Sequence, residues 1–236
     1  MDNLTVQNVS YRRNRQLILD DMSFSVAAGH IVGLLGANGV GKTSLMRVIA
    51  GAVPRFDGTI TVNGQSTLIA RKAAVSASFA WFDDATNLRL SKLAQTTAQL
   101  LPSFDLAQFQ HLAAFLDLDL NAKLTQLSKG NQKKARLAFT LAKQANVYLL
   151  DEPFDGIDSM TRKQLTAGLL QFLPEMATVL ISDHHLEDIT ALIDRVLIIK
   201  AGQVVADDDT DHIRQTSNMS LEAYYESFFT KGGDGL

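Results

Sequence analysis

Eight residues constrain this chain more than any others: GANGVGKT at 36–43, directly after the apolar run IVGLL at 31–35. The spacing satisfies G-x-x-x-x-G-K-[ST], a phosphate-cradling loop set between a strand and a helix. Each residue type has a physical reason to be there. Gly36, Gly39 and Gly41 let the backbone turn tightly with no side chain between it and a phosphate. The loop and first helical residues, Asn38, Val40 and on to Ser44, then aim their amides at the anion, and the helix macrodipole adds to them. Lys42 supplies a point charge for the β- and γ-phosphates, and Thr43 a hydroxyl for Mg²⁺. A chain built around this loop is expected to bind a nucleoside triphosphate.

Strand and helix signals alternate around the loop. LTVQNV (4–9) and LILDDMSFSV (17–26) flank the polar, basic turn YRRNR and carry the alternation of half-exposed antiparallel strands. IVGLL, VYLLD (147–151) and TVLIS (178–182) are short and continuously apolar, as buried parallel strands are. A further strand and turn is expected at TITVNG (59–64), and a hairpin in RVLIIKAGQVV around Ala201 and Gly202. Helices are expected at 42–50, from Ser128 to about Gln144, over 161–175 and over LEDITALI (186–193). Between Ser91 and Ala122, leucine, alanine and glutamine recur at helical spacing and Pro102 divides the run, which reads as a helical insert. Trp81 is expected to be a packing residue, and KGGDGL at the end a frayed tail. The fold class expected is α/β: a P-loop NTPase core with a mostly parallel sheet, an N-terminal antiparallel β subdomain and a short helical insert.

Composition narrows the partners. A net charge of -3 lacks the basic footprint of a protein that lives on nucleic acid, so none is expected. The absence of cysteine excludes disulfides and thiolate metal sites and fits a reducing cytoplasm. No run approaches the roughly 20 apolar residues that cross a bilayer, and the first residues lack a signal-peptide core. Any membrane role then needs another subunit to do the spanning.

VYLLDEP (147–153) places two carboxylates at the end of an apolar strand. That strand is expected to run beside the phosphate-binding strand, with its carboxyl end open to the nucleotide. Asp151 would hold Mg²⁺, through water, since this ion gives up its waters reluctantly. Glu152 points elsewhere and can polarise a water for attack on the γ-phosphate. Alone, such a pair would more simply be the charged start of a helix; beside an intact phosphate loop it reads as a hydrolase arrangement.

Three further segments follow in order: LSKGN (127–131), FDGID (154–158) and ISDHH (181–185). With all five, the chain resembles the nucleotide-binding subunit of ATP-binding cassette (ABC) transporters over roughly residues 3–210. GANGVGKT is similar to the family's Walker A, YLLDEP to Walker B, LSKGN to the LSGGQ signature, FDGID to the D-loop and ISDHH to the switch histidine segment. The resemblance implies a head-to-tail dimer, homo- or heteromeric, with each ATP held between one subunit's Walker A and the other's signature. Tyr11 would stack on adenine, and His184 would contact the γ-phosphate and hold the attacking water. Ser128, Lys129, Gly130 and Asn131 would bind the partner's γ-phosphate, and Asp158 would cross the dimer interface. An exposed tyrosine in a polar turn, and a cap on the helix starting near Ser159 or Met160, are the plain alternatives for Tyr11 and Asp158. Lys133, Lys134 and Arg136 read as the solvated or packing face of the helix after the signature.

The resemblance also implies one ABC ATPase domain over 1–236. Residues 1–84 and 145–210 would form the RecA-like core with its antiparallel β part, 85–144 the helical subdomain, and 211–236 a C-terminal helix and tail. Two departures stand out. The signature has lysine and asparagine where the family has glycine and glutamine. SFAWFDDATNL (78–88) also lacks the family's glutamine ahead of the helical insert. Asp83 is the nearest match and could replace it at Mg²⁺, or be a solvated loop carboxylate. The short insert, with no regulatory domain after the core, resembles compact bacterial exporter subunits. The function expected is therefore an ATP-hydrolysing subunit bound to a transmembrane permease on the cytoplasmic membrane face. The competing reading is a soluble ABC ATPase acting on nucleic acid, the ribosome or a protein assembly, although the long coiled coils or basic extensions of that class are not seen.

Overall fold

The computed structural model describes residues 2–82, 87–183, 186–217 and 219–230. The tail expected to fray lies outside them. The chain opens with β1 (Asp2–Arg13) and β2 (Gln16–Ala27), joined by Asn14 and Arg15 at φ 49 and 69. Two successive left-handed residues give a tight turn whose twist matches that of the strands. The pairing therefore runs further than the basic turn YRRNR suggested: Tyr11 is a strand residue opposite Leu19, and Arg13 pairs with Gln16. Next come β3 (Ile31–Leu35), α1 (Lys42–Ile49) and β4 (Asp57–Val62), the last adding to β1 in a three-stranded antiparallel sheet of order β2-β1-β4.

Two elements follow that the sequence reading did not anticipate. These are α2 (Leu68–Ala74), capped by Thr67 accepting from the Ala70 amide, and the three-residue edge strand β5 (Val75–Ala77). The expected insert is α3 (Leu90–Leu100) and α4 (Leu106–Phe115), parted at Pro102, with Asp105 capping the second. Then come α5 (Lys129–Ala142), β6 (Val147–Asp151), α6 (Ser159–Phe172), β7 (Thr178–Ser182) and α7 (Leu186–Ile189). The last of these is shorter than LEDITALI because the chain turns at 190–192 to enter the next strand. The chain continues with β8 (Arg195–Lys200), β9 (Gln203–Asp209), α8 (Thr210–Ser217) and α9 (Leu221–Thr230).

The larger sheet has the order β5-β6-β7-β3-β8-β9, parallel except for the last pair. This corrects one expectation: β6 does not pair with β3, because β7 lies between them. Both faces of the sheet are covered, which is why its strands read as unbroken apolar runs. Val147 and Leu149 of β6 join one core with α1 and the antiparallel sheet, while Tyr148 and Leu150 join the other with α4, α5 and α6. Val179, Leu180 and Ile181 of β7 alternate in the same way and are fully buried. Burial at this level is worth about 1.5–3 kcal/mol for each large aliphatic side chain. Trp81 belongs to the helical-side core, 5.8 Å from both the Phe104 and Phe139 rings, with its Nε1 donating to Thr140 Oγ1.

Candidate active site

The carboxyl ends of β3, β6 and β7 converge with the start of α1. Between β3 and α1, the loop must pass under the tip of β8. A Cβ on Gly36 would lie 2.5 Å from the Ile199 carbonyl oxygen, and φ there is 153. Gly41, at φ 119, is the N-cap of α1, and a Cβ there would press on Leu19 and Ile18 of β2. Ala37, Asn38, Gly39 and Thr43 are exposed, while Lys42 is buried. The Lys42 ammonium donates to the loop's own carbonyls, Gly36 at 2.6 Å and Ala37 at 3.2 Å. Burial lowers its pKa from the ordinary lysine value, while the carboxylates of Glu152, Asp151 and Asp183 support its charge.

Asp151 is the junction of the site. Its Oδ1 accepts from Thr43 Oγ1 at 3.2 Å and from Ser182 Oγ at 2.5 Å. Its amide donates to Ser78 Oγ at 3.1 Å. Hydroxyl and carboxylate oxygens meeting here are the hard donors that Mg²⁺ takes. Glu152 follows with φ 46, an uncommon conformation for a residue with a Cβ. Its amide donates to the Ser182 carbonyl at 2.9 Å, and its own carbonyl accepts from Lys133 Nζ. Ser78 and Ser182 were not singled out from sequence. The position of Ser182 at the carboxyl end of an apolar parallel strand was the available signal.

Elsewhere, Ser128 caps α5: its Oγ accepts from the Asn131 amide at 3.2 Å, and a hydroxyl used as acceptor keeps its own hydrogen to donate. Lys129, Gly130 and Asn131 form the first turn, with Gly130 lying against Thr161 of α6. Asp158 caps α6 through bonds from the Met160 and Thr161 amides and the Thr161 hydroxyl, which lower its pKa. Tyr11, like Val40, packs partly buried on the core that includes Leu19. Asp83 and His184 lie outside the described residues. Of the two alternatives for the helix after the signature, a solvated or a packing face, the structure takes the packing one. Lys133 turns to the Glu152 carbonyl, Arg136 stacks 4.8 Å over Phe82, and Lys134 is buried, so this face is bound into the core.

A phosphate loop leading into α1, with a strand-end aspartate bonded to its threonine, defines a P-loop NTPase. The family model described as "ABC transporter" matches residues 19–155, more than half of the chain. The chain belongs to the ABC transporter family; it is an ATP-binding subunit and an ATPase. It is 32% identical to the aliphatic sulfonates import ATP-binding protein of Delftia acidovorans over 202 residues, covering 82% of this chain and 78% of that one. It is 27% identical to the Nod factor export ATP-binding protein I of Sinorhizobium fredii (strain NBRC 101917 / NGR234) over 219 residues, covering 86% of this chain and 62% of that one. The fold is similar to a solved structure described as the ATP binding subunit of an ABC transporter, with a TM-score of 0.84 at 24% identity, covering 96% of this chain and 99% of that one. Among the described residues, no helix is long and apolar enough to cross a membrane.

Proposed function

We propose that this subunit hydrolyses ATP with Glu152 as general base, inside a head-to-tail dimer that drives a transmembrane permease outward. The observation that carries the reading is the convergence of Thr43, Asp151 and Ser182 on one oxygen, with Glu152 next in the chain. Lys42 and the amides from Gly36 through Asn38, Gly39, Val40 and Gly41 to Ser44 hold the phosphates, and Tyr11 stacks on the adenine. Thr43 and Asp151 would hold Mg²⁺, which neutralises charge on the β- and γ-phosphate oxygens when bound. Glu152 takes a proton from water as its oxygen bonds to the γ-phosphorus and the bond to the ADP oxygen breaks. His184 keeps that water in place, and Asp83 stands in for the family's glutamine at the metal.

Ser128, Lys129, Gly130 and Asn131 bind the γ-phosphate held by the second subunit, and Asp158 crosses the interface while capping α6. The exposed Ser128 hydroxyl at a helix start supports this role. ATP closes the dimer and hydrolysis reopens it. The domain division follows the resemblance: a core of 1–84 and 145–210, a helical part of 85–144, and a C-terminal part of 211–236. Export is favoured by the short helical segment between β5 and α5; the similar proteins include both an import and an export protein, and import is the competing outcome. The subunit would sit on the cytoplasmic face through the permease. The test is affinity capture of the tagged chain from membranes, followed by transport in inside-out vesicles. A co-purifying polytopic protein and ATP-dependent uptake into those vesicles support the reading. Capture of soluble partners alone, or transport only in right-side-out vesicles, would overturn it.

A further inference from the structure

We propose that Lys133 and Arg136 form a clasp that aims Glu152, tying the helix behind the signature to the ends of two core strands. The inference rests on Glu152 being the base. The two cations sit three residues apart on α5 and so share a face. Lys133 Nζ donates to the Glu152 carbonyl. The Arg136 guanidinium lies 4.8 Å over the Phe82 ring, and its Nη1 reaches the Ser78 carbonyl at 3.5 Å. The hydroxyl of the same Ser78 accepts from the Asp151 amide. One helix face thus grips the chain just after β5 and just after β6.

The grip matters because of how Glu152 is built into the backbone. At φ 46 it sits where residues with a Cβ are uncommon, and surrounding contacts must hold such a conformation in place. The direction of its Cα–Cβ bond is set by the two peptide planes on either side. The preceding plane is fixed by the Glu152 amide, which donates to the Ser182 carbonyl and, at 3.3 Å, to Ser182 Oγ. The following plane runs into Pro153, which has no N–H, so the Glu152 carbonyl is its only polar handle. That oxygen accepts from Lys133 and, at a long 3.4 Å, from the Asp155 amide.

Phe154 anchors the segment from below by burial in the helical-side core, but it does not touch the polar handle of the Glu152–Pro153 plane. A cavity of about 370 Å³ opens beside this segment, lined by Lys133, Arg136, Pro153 and Asp155 among others. Burial disfavours the Lys133 charge, and so does Arg136. The carboxylates of Asp155, Glu152 and Asp183 favour it. Because Ser128 caps the same helix, a displacement at the signature end is carried to Lys133 and from there to the base.

The test uses the full chain with MgATP and the variants Lys133→Met, Lys133→Arg and Glu152→Gln. Lys133→Met is expected to lower kcat by about 10- to 100-fold with ATP Kd unchanged, the signature of a misplaced group. Amide exchange across 152–157 should rise by about fivefold or more, as local opening becomes easier. Lys133→Arg, which can still donate to the carbonyl, should recover most of both. Unchanged exchange in Lys133→Met would overturn the clasp, whatever the activity. So would equal losses in both lysine variants accompanied by weaker ATP binding and a lower Tm, which describe a merely structural residue. Wild-type turnover in Glu152→Gln would instead remove Glu152 as base, and the exchange result would still decide whether the clasp exists.

Discussion

Thr43 Oγ1 lies 3.2 Å from Asp151 Oδ1, although the two residues are 108 positions apart in sequence. The contact joins the start of α1 to the end of β6, although β7 separates β6 from β3 in the sheet. Asp151→Asn keeps the shape and removes the charge. ATPase turnover is expected to fall about 100-fold or more, as on loss of a preorganised charge at a reacting phosphate. ATP affinity in the presence of a chelator should be unchanged, while the gain in affinity on adding Mg²⁺ is reduced. ATP titrations with and without Mg²⁺ check this, and an unaltered Mg²⁺ dependence would contradict it.

Glu152→Gln preserves the side-chain volume and the backbone bonds to Ser182 and Lys133. Loss of a general base is worth about 10²–10⁴ in rate, so hydrolysis should be nearly abolished. Binding is untouched, and ATP is expected to trap a dimer visible by light scattering. A monomer at saturating ATP would count against the sandwiched arrangement.

How far the sequence could be read depended on whether a residue's surroundings were local. IVGLL, VYLLD and TVLIS coincide with β3, β6 and β7 because burial on both faces leaves a continuous apolar run. The phosphate loop was legible because its glycines answer to the backbone alone. β5 was not, since three residues at a sheet edge carry no periodic signal. Nor was the insertion of β7 between β6 and β3, which is a matter of strand order. The hairpin turn was legible in YRRNR but not its two-residue length, because Asn14 and Arg15 adopt left-handed conformations without a glycine. Lys133 could be read only as solvated or packing, because its acceptor is a backbone carbonyl 19 residues away and sequence patterns do not register carbonyls.

Two of the three loop glycines, Gly39 and Gly36, make a controlled comparison. A Cβ on Gly39, at φ 80, would meet nothing within 4 Å, so Gly39→Ala should cost only the left-handed backbone strain of about 1–2 kcal/mol. A Cβ on Gly36 collides with the Ile199 carbonyl as well, which should add about 1–3 kcal/mol of overpacking. Urea denaturation of both variants tests the order, and equal losses would mean that the strand tip yields.

Lys143 links stability to pH at a site remote from the nucleotide. It follows α5, and its buried ammonium donates to the carbonyls of Lys72 and Val75 at the end of α2. Burial lowers its pKa from 10.5 to about 8. Below about pH 8 both folded and unfolded chains hold the proton, and the cost of burying the charge is constant. Between about 8 and 10.5 the unfolded chain binds the proton that the folded chain has released, so this residue makes stability rise with pH. The full rise is on the order of 3 kcal/mol. Lys143→Met removes the titration, so the stability difference between the wild type and this variant should shift in favour of the wild type from pH 8 to 10.5. Guanidinium unfolding of both proteins at pH 7, 8, 9 and 10 measures it, and a difference constant across that series would show that the ammonium is not desolvated.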